Sequence, residues 1–197
     1  MDTMTEQHLL AETVEDTLHH LRQGHTILYP TDTIWGIGCD ATYSDAIERL
    51  YAVKRRDHSK SMLILCADTD MVRRYVPTAT DTMLRQATEG DRPTTVIFPH
   101  AEGLPHNLLA ADGSIGIRIP RHDFCQQLLR SLGHPVVSTS ANLSGHPSPA
   151  AYADIETALK EQIDYCVPPL PLFDHATHVG SRIVKVEADG TVTLIRP

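Results

Sequence analysis

The sequence predicts a single α/β domain, residues 1–197, built on one mixed sheet with flanking helices. Apolar segments with strand character alternate with segments of helical periodicity along the chain. The connections between them are short, and none has the composition of a linker, so we expect one domain. Asp189-Gly190 lies between two apolar runs, which is a strong hairpin signal. A hairpin at the end of an alternating chain indicates a mixed sheet.

The elements of the first half follow from apolar spacing and from Gly and Pro. Residues 6–22 carry leucine and valine three and four apart and predict a helix that Gly24 ends. A second helix is predicted over 45–53, with Ser44 as its N-cap. Shorter helices are predicted over 68–75 and 80–88, and strands over 26–29, 62–66 and 94–98.

The second half is predicted by the same signals. We expect a loop over 100–113, a strand over 114–119, a helix over 124–132 ended by Gly133, and a strand over 136–138. A helix over 152–160 and a proline-rich loop over 168–180 come next. The hairpin strands are 182–186 and 192–195.

Composition excludes several classes of protein. Hydrophobic residues make up 41% and charged residues 21%, as in a globular protein with a core. No apolar run approaches the roughly 20 residues that span a bilayer, and the N-terminus is polar, so we expect a cytoplasmic protein without membrane contact. Four separated cysteines predict reduced thiols, and twelve histidines without ligand spacing predict no metal site. A net charge of -8 argues against a nucleic-acid coating protein.

The segment from Ser138 to Gly145 is the strongest candidate for a ligand site. It follows an apolar strand with hydroxyls, an amide and a glycine, which supply donors and acceptors without fixed charge. In open α/β sheets, ligands lie beyond the carboxyl ends of strands, so we expect a pocket edge there. A Ser/Asn/Gly turn is the alternative.

A second polar segment, residues 30–38, follows the first predicted strand. Thr31, Asp32 and Thr33 place polar groups at the strand end. Gly36 and Gly38 permit either positive φ or close approach of another backbone. The segment lacks the Gly-Lys-Ser/Thr of a P-loop, and a capped turn is the alternative.

Basic residues suggest what these edges bind. Lys54, Arg56, His58 and Lys60 alternate, so an extended chain would present them as one wall suited to phosphates or a carboxylate. Arg118 stands alone in an apolar strand, either to grip a ligand carboxylate or to form an internal salt bridge. No nucleophile–base pair stands out, so no catalytic side chain is predicted, and the site should bind and orient charged small molecules.

Five motifs resemble the YrdC/Sua5 family in order and spacing, from about Gly24 to Pro197. They are Tyr29-Pro-Thr-Asp-Thr-Ile-Trp-Gly-Ile-Gly, Lys54-Arg-Arg, Thr94-Thr-Val-Ile, Gly116-Ile-Arg-Ile-Pro and Ser138-Thr-Ser-Ala-Asn-Leu-Ser-Gly. The resemblance implies a twisted mixed sheet with a concave positive face. It implies an L-threonylcarbamoyladenylate synthase, a nucleotidyltransferase that combines L-threonine, bicarbonate and ATP with Mg2+ to give threonylcarbamoyl-AMP and pyrophosphate. The product would serve the t6A modification of tRNA, together with other proteins of that pathway.

The resemblance also implies residue roles. L-threonine would be contacted by Thr33, Arg118 and Ser138. ATP would be contacted by Lys54, Arg56, Lys60, Ser140, Asn142, Ser148, Ser181 and Arg196. The chain departs from the family pattern at Asp57 and Arg182, where proline and threonine are usual, and near Leu65, where some longer members have a histidine. It also lacks the C-terminal domain of longer members.

Two alternatives stay open. One is a YciO-like branch of the same family. The other is a double-stranded RNA or tRNA-binding module acting in translation or ribosome maturation, which would use the same basic residues. The hydroxyl-rich edge from Ser138 to Asn142 favours the enzyme, because recognition of RNA shape does not require it.

Overall fold

A computed structural model describes residues 3–173, 176–187 and 189–197. Its strands are β1 (Ile27–Tyr29), β2 (Gly36–Gly38), β3 (Leu63–Leu65), β4 (Thr94–Phe98), β5 (Ile115–Arg118), β6 (Val136–Ser140), β7 (Tyr165–Cys166), β8 (Arg182–Val186) and β9 (Val192–Arg196). Its helices are α1 (Thr3–Arg22), α2 (Ser44–Lys54), α3 (Thr69–Tyr75), α4 (Asp81–Thr88), α5 (Asp123–Leu132) and α6 (Thr157–Lys160). None of these helices is long and apolar enough to cross a membrane.

The described strands form one sheet in the order β7-β1-β2-β6-β3-β5-β4-β8-β9. The pairs β7–β1, β3–β5 and β4–β8 are parallel, and the other five pairs are antiparallel. The prediction of a mixed α/β sheet with flanking helices is therefore confirmed. The terminal hairpin predicted around Asp189-Gly190 is present as β8–β9.

The two faces of the sheet differ in chemistry. Ile64, Val96, Ile117 and Val137 lie on one face, fully buried in the main core together with residues of α2 and α5. Because successive strand residues point to opposite faces, their chain neighbours lie on the other face. Half of those neighbours are apolar, and the other half, Thr95, Gly116, Arg118 and Ser138, give this face its polar character. The pocket described below lies on this polar face, and the predicted pocket edge at Ser138 to Ser140 does line it. Its floor is the face of the sheet, and not only the space beyond the carboxyl ends of the strands.

Strand β2 was missed because its sequence, Gly36-Ile37-Gly38, resembles a turn. Neither glycine has positive φ. A Cβ atom on Gly38 would lie 1.9 Å from the carbonyl oxygen of Val137, so the second prediction for these glycines, close approach of another backbone, is the correct one. With β2 alongside it, β6 continues two residues beyond its predicted end to Ser140, which pairs with Gly36.

Two helix predictions were wrong. The segment 152–160 divides into a 3-10 turn, Tyr152–Asp154, and α6, because Asp154 accepts a hydrogen bond from the backbone N–H of Ala151 and Ile155 is extended. Ser44 is the first residue of α2 rather than its cap. Strand β7, also missed, has only two residues and pairs with β1.

The terminal hairpin contains a bulge. Val184 pairs with Leu194, but Ile183 pairs with Arg196, so Ile195 has no residue opposite it. In a regular ladder Arg196 would stand opposite Arg182 and point to the core side of the sheet. The extra residue places Arg196 beside Ile183, on the polar face.

Candidate active site

A pocket of about 270 Å³ lies on the polar face of the sheet. Its floor comes from β2, β3, β4, β5, β6 and β8. All but three of the predicted site residues line its wall. Those that do are Thr33, Arg56, Arg118, Ser138, Ser140, Ser148, Ser181 and Arg196. They come from six separate segments of the chain, and the sheet is what assembles them.

The pocket is strongly positive, because its wall includes the guanidinium groups of Arg56, Arg118 and Arg196 and, among the described residues, no Asp or Glu. Arg56 donates to the backbone carbonyls of Lys60 and Ser61 at 2.7 and 2.9 Å. Arg196 donates to the carbonyl of Ser181 at 2.6 Å. These partners are neutral, so both positive charges remain available to an anion.

Arg118 both lines the pocket and forms a buried ion pair. Its Nη1 donates to Oδ1 of Asp32, and the two side chains are 4% and 8% exposed. The second oxygen of Asp32 accepts the backbone N–H of Arg121 at 2.9 Å. Nε of Arg118 has no hydrogen-bond partner among the described residues. The two interpretations of Arg118 are thus compatible: Asp32 holds the guanidinium, and the guanidinium still faces the pocket.

Asp32 is a functional residue that was not among the predicted site residues. The available signal was the need of a buried arginine for a carboxylate, with Asp32 among the polar residues after β1. Further wall residues on the strands that were not among the predicted site residues include Leu63, Thr95, Ile97, Gly116 and Ile183. The alternation Ile115-Gly116-Ile117-Arg118 could have indicated that Gly116 lies on the same face as Arg118, since residues two apart in a strand share a face.

Hydroxyl groups of wall residues bond to one another or to a hydroxyl just behind the wall. The Thr95 and Ser181 hydroxyl oxygens are 2.7 Å apart, and those of Thr31 and Thr33 are 3.0 Å apart. Gly116 leaves space at the floor of the pocket, where a Cβ atom would lie 3.1 Å from the methyl carbon of Thr95. The wall therefore offers hydroxyl donors and acceptors between the three cations.

Lys54, Lys60 and Asn142 lie outside the pocket wall. The predicted extended basic wall is wrong, because Arg55 adopts a left-handed conformation at φ 48° and residues 57–60 turn, with Lys60 N–H donating to the Asp57 carbonyl. Lys60 is exposed. His58 stacks on Tyr51 with ring centroids 4.2 Å apart.

Lys54 is the last residue of α2 and is 1% exposed. Its ammonium donates to the carbonyls of Ser140 and Asn142 at 2.5 and 2.7 Å. Burial, together with the nearby charge of Arg56, lowers the pKa of Lys54 to about 7. Only Arg56 of the predicted Lys54–Arg56 pair reaches the pocket.

Fold and pocket together define an α/β protein with an arginine- and hydroxyl-lined pocket on one face of its sheet. A family model described as telomere recombination (Sua5/YciO/YrdC) matches residues 19–197. The chain belongs to the Sua5/YciO/YrdC family, which confirms the resemblance found in the sequence.

Known proteins similar to this chain have the same fold or a related sequence. A threonylcarbamoyl-AMP synthase of Pseudoalteromonas translucida is 33% identical over 158 residues, 79% of this chain and 84% of that protein. The crystal structure of P. abyssi Sua5 with L-threonine matches with a TM-score of 0.79 and 20% identity, over 93% of this chain and 53% of the other. E. coli YciO matches with a TM-score of 0.75 and 24% identity, over 93% and 87%. This chain thus spans about half of the Sua5 chain.

Proposed function

We propose that this protein is an L-threonylcarbamoyladenylate synthase, which combines L-threonine, bicarbonate and ATP and releases pyrophosphate. The observation that carries the proposal is the convergence of three guanidinium groups on a hydroxyl-lined pocket, with Asp32 as the one carboxylate bound to them among the described residues. Such a site suits a ligand with several negative charges. Relatives named threonylcarbamoyl-AMP synthase support an enzyme of this kind.

The positions of the cations suggest how the substrates are arranged. Arg118 is buried at the end of β5, lines the pocket together with Ser138 and suits the carboxylate of L-threonine, whose hydroxyl would meet Thr33 or Ser181. Arg56 and Arg196, whose partners are neutral, suit the phosphates of ATP, and Ser140 and Ser148 lie on the same wall. The volume of about 270 Å³ is below the roughly 300–1,000 Å³ of typical ligand sites, so part of the nucleotide would extend beyond the mouth.

The chemistry proposed for these residues is positioning and charge neutralisation. A carbamate oxygen of N-carboxy-threonine attacks the α-phosphorus, the bond from that phosphorus to the bridging oxygen breaks, and pyrophosphate leaves with the electron pair. Holding the two anions together with fixed donors lowers the barrier without a covalent enzyme intermediate. This agrees with a wall that carries arginine and hydroxyls.

Mg2+ would enter as part of the substrate. The described residues hold no group of three or more His, Cys, Asp or Glu that could bind a metal ion, and Asp32 is committed to Arg118. The wall therefore does not fit a metal site built by the protein. Mg2+ normally binds to substrate phosphates and water, which suits an Mg–ATP substrate.

The destination of the product is part of the same proposal. We infer that threonylcarbamoyl-AMP serves the t6A modification of tRNA in the cytoplasm, with other proteins of that pathway. The four cysteines are free, with Cys39, Cys66 and Cys125 buried, as expected in a reducing compartment.

Pyrophosphate release tests the reaction. In bicarbonate buffer, release from Mg–ATP should require L-threonine and should fall when bicarbonate is removed or Arg118→Ala is introduced. Ser140→Leu should block the pocket, whereas Ser131→Leu, at an exposed position on α5, should not. Release that is independent of threonine would contradict the proposal.

Ligand-induced stabilisation separates the enzyme from the RNA-binding alternative. ATP with L-threonine should raise the melting temperature of the protein, since a ligand of the folded state stabilises it. An RNA-binding module would show no such shift, and its RNA affinity would fall steeply with salt.

A further inference from the structure

The buried end of α2 is tied to the loop after β6 from two sides. The ammonium of Lys54 donates to the carbonyls of Ser140 and Asn142, at 2.5 and 2.7 Å. The carbonyl of Lys54 accepts the backbone N–H of Ser144 at 2.9 Å. Lys54 therefore bonds to three alternate residues, Ser140, Asn142 and Ser144.

These contacts occur where β6 ends, although the next backbone N–H, that of Ala141, still donates to the carbonyl of Trp35 at 3.1 Å. Ser140 is the last residue of β6 to pair, with Gly36, and beyond it the loop follows no strand. The Ser140 carbonyl also accepts the backbone N–H of Asn142 at 2.9 Å, so Lys54 is its second donor. For the Asn142 carbonyl, the ammonium of Lys54 is the donor found among the described residues, and a buried carbonyl without a donor is costly. An ammonium has three donors and no acceptor, and a four-carbon stem from the end of α2 delivers it.

Lys54 does not have the surroundings of a ligand-binding cation. It is 1% exposed, it is absent from the pocket wall, and no salt bridge joins it to a carboxylate among the described residues. Arg56, two residues on, is the group that reaches the wall, because the left-handed turn at Arg55 redirects the chain. The two cations of this segment therefore have different tasks.

We propose that Lys54 is a positioning residue: it holds the loop from Ser140 to Ser144 in its binding shape before any ligand arrives, while Arg56 presents the charge that the phosphates meet. Ser140 is on the pocket wall and is the residue whose carbonyl Lys54 holds. The identity of the ligand rests on the proposed function, but the holding of the loop does not.

Amide hydrogen exchange of the ligand-free protein tests this directly. Lys54→Met keeps the length of the side chain and removes its donors. It should speed exchange over residues 141–146 by about tenfold or more, because the loop then opens with two hydrogen bonds fewer. Arg56→Met is the matched control and should leave that exchange within about twofold of wild type. Exchange in α5 should not change in either variant.

A second variant keeps the test decisive if Lys54→Met does not fold. Ser144→Pro removes the N–H that bonds to the Lys54 carbonyl, at a half-buried loop position. It should speed exchange at 141–143 in the same direction but less. Wild-type exchange over the loop in Lys54→Met, or in Ser144→Pro if Lys54→Met does not fold, would overturn the proposal.

The salt dependence of ATP affinity gives a readout that a loss of stability would not move. A direct phosphate contact weakens with ionic strength, so Arg56→Met should flatten the dependence of the ATP KM, or of the ATP Kd, on salt. Lys54→Met should raise that constant but leave its salt dependence as in wild type. If Lys54→Met flattens the dependence as Arg56→Met does, Lys54 is a phosphate ligand and the proposal fails. If the protein does not release pyrophosphate, the synthase assignment fails while the exchange result stands.

Discussion

Replacing Asp32 with alanine should leave Arg118 as a buried cation without its carboxylate. Arg118 and Asp32 are 4% and 8% exposed, so water cannot readily replace the lost partner, and the backbone N–H of Arg121 loses its acceptor as well. Removing one partner of a buried ion pair costs about 3–5 kcal/mol. In a chain of this size each kcal/mol lowers the melting temperature by about 2–4 °C, so we expect a loss of about 6–20 °C.

Thermal and urea unfolding with a matched exposed pair measures this effect. Asp81 bonds to Arg73 at 2.7 Å but is 78% exposed, so Asp81→Ala should cost at most about 1 kcal/mol. Asp32→Ala combined with Arg118→Met should be more stable than Asp32→Ala alone, because no unpaired charge remains buried. The reasoning is refuted if Asp32→Ala melts within about 2 °C of Asp81→Ala.

Three further outcomes are expected. Gly38→Ala should strongly destabilise the protein in urea unfolding, because its Cβ atom would lie 1.9 Å from the Val137 carbonyl oxygen. Gly133→Ala is the control: its Cβ atom would have no neighbour within 4 Å, so the φ of +76° should cause only a smaller loss of stability through backbone strain. Arg196→Ala should raise the ATP KM without lowering the melting temperature of the empty protein by more than about 3 °C, since Ser181 is the hydrogen-bond partner of this side chain among the described residues. Burial lowers the pKa of Lys54 to about 7, below its unfolded value, so the unfolded chain binds more protons than the folded protein between about pH 7 and 10. The unfolding free energy of wild type relative to Lys54→Met should therefore rise from pH 7 to pH 9. A flat or falling difference would contradict this.

The parts of the fold that have strong periodic patterns were predictable. The strand at 94–98 was predicted with its observed ends, and the helix 123–132 was predicted to within one residue, because apolar residues at a fixed period and a terminal glycine mark them. Strands β2 and β7 were not, since two glycines and a two-residue segment carry no alternation. Both depend on neighbours that come from distant parts of the chain.

The site was predictable in composition but only partly in place. Arginine and hydroxyl residues were identified from local sequence, yet the rule that ligands lie beyond the strand ends applies to parallel sheets, and β6 pairs antiparallel on both sides. The role of Lys54 could not be predicted, because it depends on carbonyl groups 86 and 88 residues further along the chain. Asp32 was hidden for the same reason, since its partner Arg118 is also 86 residues away.

The bulge at Ile195 has a consequence for how the chain length near its end can vary. Because Ile195 has no residue opposite it, a chain that lacked this position could pair regularly and still place its arginine opposite Ile183. A chain with one more residue before the arginine would turn the guanidinium to the core side. Single deletions and single insertions in β9 are therefore unequal in their effect on the pocket. Related sequences should accordingly be aligned over this strand by the residue that faces Ile183, and not by counting positions along the chain.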